Sequence, residues 1–286
     1  MSTPSNGKGK DSKKTTREKA AQARAAAEAE QRRRDNLIRI VGGVVILALV
    51  AGIIFFAVKG SQNNSANGSQ GAGTTIVDSA AIPKGTNNAS ATNPWGVPVN
   101  TASGKPTLAI WEDFQCPICA SFDKANGPTL EKWVSDGKIN LVWRVATFLD
   151  QRFASTSPNP YSSYRAGMAY GCAIDAGKGE PYRTLVFANQ PQVEGNGWSN
   201  QQLLDFGKQA GIEGDAYSTF EKCFNDSTYG QWVTNNSVTF TNDQVPGTPS
   251  LYLNGKEVPS AAYTNATTGD YDLTGLETLI SQASGS

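Results

Sequence analysis

No histidine occurs anywhere in the 286 residues. Without an imidazole there is no Ser-His-Asp triad, no Cys-His nucleophile pair and no histidine-ligated metal site. An excess of charge is missing too, since 25 Lys/Arg balance 25 Asp/Glu. A chain without net positive charge is not a uniformly basic nucleic-acid binder, and no nucleic-acid partner is expected. Apolar residues make up only 38% of the chain, so part of it is expected not to join a core. Cysteine is scarce, and its four residues are the reactive side chains that remain.

The balanced charge is unevenly placed. Residues 1–39 carry 11 Lys/Arg against 5 Asp/Glu, and residues 40–286 carry 14 against 20. The basic stretch has no aromatic residue and no apolar face to pack, so it reads as a cytoplasmic basic tail. Residues 40–58, from Ile40 to Val58, are all apolar or Gly. At 1.5 Å per residue they span about 28 Å, close to the ~30 Å hydrocarbon core, so a single N-terminal transmembrane helix is expected. Arg32, Arg33, Arg34 and Arg39 precede the run and only Lys59 follows directly. That asymmetry puts the N-terminus in the cytoplasm and the C-terminal domain outside, a single-pass protein of the cell membrane. A cleaved signal peptide is the rival reading, although the basic and apolar stretches are both longer than such peptides use. Residues 59–94, rich in Gly, Ser, Asn, Thr, Gln and Ala, read as a flexible linker. Aromatics resume at Trp95, and residues 95–286 are enough for one core.

Within that domain, residues 106–111 read as a buried strand and 119–134 as a helix with a kink at Gly127-Pro128. Residues 139–148 alternate apolar and polar and read as a second strand. Helices are expected at 161–176, 181–188, 200–210 and 215–224, while 229–242 is ambiguous because it is rich in Thr and Asn. Residues 250–253 form a strand, Asn254-Gly255 a hairpin turn, 256–258 the return strand, and 273–283 a closing helix. The order is an α/β plan with an all-helical insertion.

Cys116-Pro117-Ile118-Cys119 sits where the first strand passes into the first helix. This spacing lets the two sulfurs close a disulfide across one helical turn. It also leaves the first sulfur at the helix N-terminus, where unpaired N–H groups and the positive dipole end favour a thiolate, the nucleophile of disulfide exchange. Pro117 is tolerated there because its missing N–H would be unpaired anyway. A structural disulfide or half of a zinc site are the competing readings. Zinc is disfavoured, because Cys172 and Cys223 stand alone and neither a second Cys-x-x-Cys nor a histidine is present, so no metal site is assigned. Cys172 and Cys223 read as a structural disulfide, since an exported domain meets an oxidising compartment and neither residue has a motif around it.

Three separated stretches resemble the DsbA-like branch of the thioredoxin superfamily, and its membrane-anchored Gram-positive members in particular. They are Asp113 to Cys119; Leu185 to Pro191 followed by Leu203-Leu204 and Gly211; and Val245 to Gly255. The resemblance covers roughly residues 95–284. It implies a thioredoxin fold with an all-helical insertion at about 160–243. It implies Cys116 as the exposed attacking or attacked sulfur, Cys119 as the resolving one, and Pro249 as a cis-proline beside them. Thr248 would offer backbone groups to an extended substrate, with Pro117 and Ile118 also on the substrate side. Two positions depart from the family. Ile118 stands where strongly oxidising relatives often carry His, and Ile110 stands where thioredoxin-like enzymes often keep a buried acid. Glu112 and Asp113 are read as loop or helix-capping residues rather than proton shuttles.

The expected function is a membrane-tethered protein thiol:disulfide oxidoreductase that introduces disulfides into exported proteins with free cysteines through the Cys116–Cys119 disulfide. It would need no bound cofactor and would be reoxidised by a membrane partner, for which the family suggests a quinone-linked enzyme. A reductase or isomerase working in the opposite direction remains open, as does a non-catalytic binding or sensor module on the same scaffold.

Overall fold

A computed structural model describes residues 73–265 and 268–284. The expected basic tail and transmembrane segment 40–58 lie outside these residues. Among the described residues, no helix is long and apolar enough to cross a membrane.

The centre of the molecule is β2 (Thr107–Asp113), whose residues from Leu108 onward are all buried. It pairs in parallel with β3 (Asn140–Ala146), with Ile110 opposite Trp143, and antiparallel with β4 (Ser250–Leu253), with Ile110 opposite Leu251. β1 (Val97–Pro98) and β5 (Lys256–Glu257) are two-residue edges, giving the order β1-β3-β2-β4-β5. A parallel pair needs a crossover, and α1 (Pro117–Ser135) supplies it. Gly127-Pro128 does not break that helix. It stops at Gly137 (φ 65°), where the Gly137 and Lys138 amides donate to the Val134 and Trp133 carbonyls. This left-handed exit is one that glycine enters without a Cβ penalty.

A short helix, α2 (Phe148–Phe153), follows β3, where the sequence pattern had extended the strand to Phe148. The expected helical insertion is then built from α3 (Ser162–Asp175), α4 (Gly179–Ala188), α5 (Asn200–Gln209), α6 (Gly214–Asn225) and α7 (Gly230–Asn242). The closing helix is α8 (Thr274–Ser284). A thioredoxin-type sheet carrying an all-helical insertion is therefore the observed architecture. One large core joins sheet and insertion, with Leu108, Ile110, Phe122, Tyr182, Val186, Phe220 and Trp232 fully or almost fully buried.

The linker expectation is corrected for its described part. Residues 73–94 hold no helix or strand, yet they are fastened to the body. Gly73 donates to Thr234 Oγ1, and Val77 both donates to and accepts from the Asn235 amide. Further along, Lys84 N–H donates to Asp175 Oδ1. Composition marked this stretch as unable to make its own core. It could not show that α7 would provide hydrogen-bond partners.

Cys172 on α3 and Cys223 on α6 form the expected disulfide, 51 residues apart. By closing a loop of that length the bond restricts the unfolded chain. Replacing both residues by Ala is expected to lower unfolding stability by about 2–4 kcal/mol, read from urea midpoints.

Candidate active site

Cys116 is the residue that caps α1, with an extended backbone (φ −75°, ψ 115°), and Pro117 opens the helix. No carboxylate occupies the first turn of α1 to oppose the positive dipole end. The first-turn amides of Ile118 and Cys119 have no intrahelical acceptor, and together with the Cys119 thiol they favour a thiolate at Cys116, although neither amide makes a well-formed cap hydrogen bond to its sulfur. Both cysteines are free thiols. The Cys119 hydrogen bond is the strongest influence on Cys116; the Thr248 side chain and the two amides add to it. Together they outweigh burial and bring Cys116 to a pKa of about 7. Burial and the neighbouring Cys116 push Cys119 well above an ordinary thiol.

The expectation of an openly exposed Cys116 needs correcting. It is only 6% exposed, against 0% for Cys119, while Ile118 beside it is 53% exposed. A partner sulfur must enter a recess rather than meet a projecting thiol. The wall of that recess is the loop before β4. Its Thr248–Pro249 bond is cis, as the resemblance implies, and the Cys116 thiol donates to the Thr248 carbonyl at 3.4 Å. The Thr248 hydroxyl is buried with no aligned partner, and it lies beside both sulfurs. It is therefore a donor available to a developing thiolate. Thr248→Val keeps the shape and removes that donor. It should raise the Cys116 pKa by roughly 0.5–1 unit, measured from the pH dependence of Cys116 alkylation.

Glu112 and Asp113 are also corrected. Both are buried residues of β2, not loop residues. Glu112 accepts two hydrogen bonds from Arg183 on α4, at 2.8 Å from Nε and 2.6 Å from Nη2. Arg183 also pairs with Asp123 at 2.8 Å and stacks over Trp143 at 3.5 Å. Glu180 sits beside it and accepts from Trp143 Nε1. One guanidinium thus serves three carboxylates. Burial together with Asp123 and Glu180 outweighs the pairing and lifts Glu112 to about 7. Arg183 stays charged, because the surrounding acids favour the cation over the cost of burial. The Glu112 carboxylate adds to the influences that disfavour a thiolate at Cys119. The family's usual acid position, Ile110, is filled by a core side chain. A cavity of about 240 Å³ is lined in part by Arg183, Asp123 and Glu180.

Asp113 does cap a helix, but not α1: its carboxylate accepts from the Leu149 amide in the first turn of α2. It also accepts from the Gln115 amide and the Ser163 hydroxyl. Gln115 in turn donates to Asp150 and Ser163, tying the residue before Cys116 to the start of α3.

Two further side chains reach the Cys116–Cys119 turn from distant chain segments. Gln190, just past α4, donates to the carbonyls of Phe114 (2.7 Å) and Cys116 (3.0 Å). The Tyr271 hydroxyl donates to the carbonyl of Ile118 at 3.0 Å. Sequence reasoning noticed Gln190 only as part of a resembling stretch, and it missed Glu112, Arg183 and Tyr271 as parts of the site. The only local hint was a carboxylate ending an apolar strand, which must find a counter-charge if buried.

A strand-to-helix Cys-x-x-Cys facing a cis-proline, on a thioredoxin-type sheet, defines a thioredoxin-fold dithiol protein. A thioredoxin family model matches residues 101–268, more than half of the chain, and the chain belongs to that family. Among solved structures it is similar to BdbD from Bacillus subtilis, with 17% identity and a TM-score of 0.55, covering 72% of this chain and 100% of that one. It is likewise similar to MdbA from Actinomyces oris, described as a thiol-disulfide oxidoreductase, with 18% identity and a TM-score of 0.53, covering 70% and 89%. MdbA from Corynebacterium diphtheriae, described in the same way, has 22% identity and a TM-score of 0.50, covering 66% and 89%. No curated protein matches the chain.

Proposed function

We propose that this protein is a thiol:disulfide oxidoreductase that introduces disulfides into exported proteins with free cysteines. In this reading it is held at the membrane by residues 40–58, with the described domain on the extracytoplasmic side. The observation that carries the reading is the placement of the two thiols: Cys116 caps the N-terminus of α1 against the cis Thr248–Pro249 bond and Cys119 lies fully buried behind it, which favours a thiolate at Cys116 and a neutral thiol at Cys119.

In the oxidising cycle a substrate thiolate attacks Sγ of Cys116 in the Cys116–Cys119 disulfide. The sulfur of Cys119 leaves with the electron pair and takes up a proton. A second substrate thiolate then attacks the substrate sulfur of the mixed disulfide and expels Cys116 as a thiolate. The substrate has lost two electrons and the enzyme has gained them. Whatever stabilises the Cys116 thiolate stabilises the reduced enzyme, and so makes the disulfide a stronger oxidant. Reoxidation falls to a membrane partner, by family analogy a quinone-linked one. Ile118 in place of an imidazole is the one observation that favours the opposite, reductase direction.

Equilibration of the full chain in glutathione buffers, with each cysteine read separately after alkylation, decides between them. A Cys116–Cys119 potential near the −120 mV typical of a DsbA is expected; a value near the −270 mV of thioredoxin would overturn the oxidase reading.

A further inference from the structure

The first-turn amides of Ile118 and Cys119 at the N-terminus of α1 favour the Cys116 thiolate, and the peptide plane that carries the Cys119 amide is held at its other end from elsewhere. The Cys119 N–H shares one plane with the Ile118 carbonyl. In a trans peptide the N–H and C=O point in opposite directions, so fixing one end aims the other. Tyr271 pins the Ile118 carbonyl at 3.0 Å, from 153 residues away in sequence. The ring of Tyr271 is itself seated edge-on against Phe122 of α1, with centroids 5.3 Å apart. Gln190 holds the preceding planes by donating to the Phe114 and Cys116 carbonyls. The residue before it is anchored in turn, since the Asn189 carbonyl accepts from Trp198 Nε1 at 2.8 Å.

We propose that Gln190 and Tyr271 are positioning residues of the dithiol: they hold the carbonyls of Cys116 and Ile118 so that the amides of the first helical turn keep favouring the Cys116 thiolate. A hydrogen bond to a carbonyl also polarises its amide and strengthens the N–H at the far end as a donor. Tyr271 therefore acts on the thiolate through one peptide unit without touching the sulfur as a donor. Gln190 acts by fixing where the strand ends and the helix begins; its second plane, Cys116–Pro117, carries no N–H of its own. The two side chains come from opposite sources, the helical insertion and the C-terminal segment, so the turn is held from both.

This inference rests on the oxidoreductase reading, and the experiment separates the two. In the full chain the alkylation rate of reduced Cys116 is followed from pH 5 to 10, peptide by peptide, for wild type, Tyr271→Phe, Gln190→Met and the double variant. The titrating groups linked to Cys116 or Cys119 are the two thiols themselves, Glu112 on β2, and Tyr263 and Tyr271 from the C-terminal segment. The Cys119 thiol and the tyrosines titrate well above Cys116, with Tyr271 at about 12. The series is repeated in Glu112→Gln to remove the remaining overlap. Each single variant is expected to raise the Cys116 midpoint by roughly 0.3–0.5 unit, about a two- to threefold fall in its acid dissociation constant, with the shifts adding in the double variant. Tyr263→Phe, which faces the Phe122 ring at 6.2 Å, is the packing control and should leave the midpoint in place. Tyr271→Phe keeps its ring against Phe122, so it remains informative even if Gln190→Met folds poorly. A wild-type midpoint near 7 with no shift in either variant overturns the positioning roles alone. A wild-type Cys116 that titrates as an ordinary thiol overturns the oxidoreductase reading beneath them.

Discussion

Cys119→Ser is expected to convert a transient mixed disulfide into a stable one. In Cys119→Ser, Cys116 cannot close a disulfide within the enzyme, so adducts form when its thiolate attacks a disulfide of an exported protein and expels one of that protein's sulfurs as a thiolate, and release of the adduct by Cys119 is lost. Trapped adducts should rise at least roughly tenfold over wild type, visible as bands that collapse on reduction. Cys119 is fully buried, and serine fills nearly the same space, so the fold should survive. The substitution has a second consequence. The Cys119 thiol is the leading influence lowering the Cys116 pKa, and a serine hydroxyl replaces that donor imperfectly. Cys116 should therefore become less acidic, and trapping should be more complete at pH 8 than at pH 6.5. Cys116→Ser must abolish every adduct. If Cys119→Ser yields none, the exchange mechanism fails.

Arg183→Met should cost about 3–5 kcal/mol of unfolding free energy, because it leaves buried carboxylates without their counter-charge. Glu112 loses two hydrogen bonds, Asp123 loses one, and the Trp143 ring loses the cation stacked on it. The pH dependence gives this prediction its signature. Glu112 already has a folded-state pKa near 7, above its ordinary 4.5. Its contribution is therefore fully present below about pH 4.5 and is lost as pH rises through 7. Without Arg183 its pKa must climb further, so the variant's deficit should widen from pH 5 to pH 8. Urea midpoints at the two pH values check this. A deficit that is equal at both would mean that packing, not charge, is what Arg183 supplies.

Much of this was legible from local pattern. The apolar run before Cys116, the Asn254-Gly255 hairpin and the periodic helices of the insertion each announce themselves within a window of about ten residues. So does the Cys-x-x-Cys pair. Helix α7 did not, and the reason is physical. Its Thr and Asn residues are poor helix formers that are kept for their partners. Asn235 clamps Val77, and Asn236 together with Trp232 holds the Trp95 carbonyl. The strand Ile139–Phe148 overran because Phe148 is apolar in either state; the helix beginning there is capped by Asp113, 36 residues upstream. The missed parts of the site share this property. Arg183, Gln190 and Tyr271 each act on the dithiol region across 71 residues or more, and no local periodicity encodes a partner that far away.

In the proposed membrane-tethered arrangement, the strap ahead of Trp95 changes how far this domain can travel. Residues 73–94 look like slack in composition, yet they lie pinned along α7 and α3. Those 22 residues could span about 75 Å if pulled straight, and none of that length is available for searching. If the proposed anchor at residues 40–58 holds the domain, its reach is counted from Gly73 and not from Trp95, so the volume in which Cys116 can meet a partner is smaller than composition alone suggests.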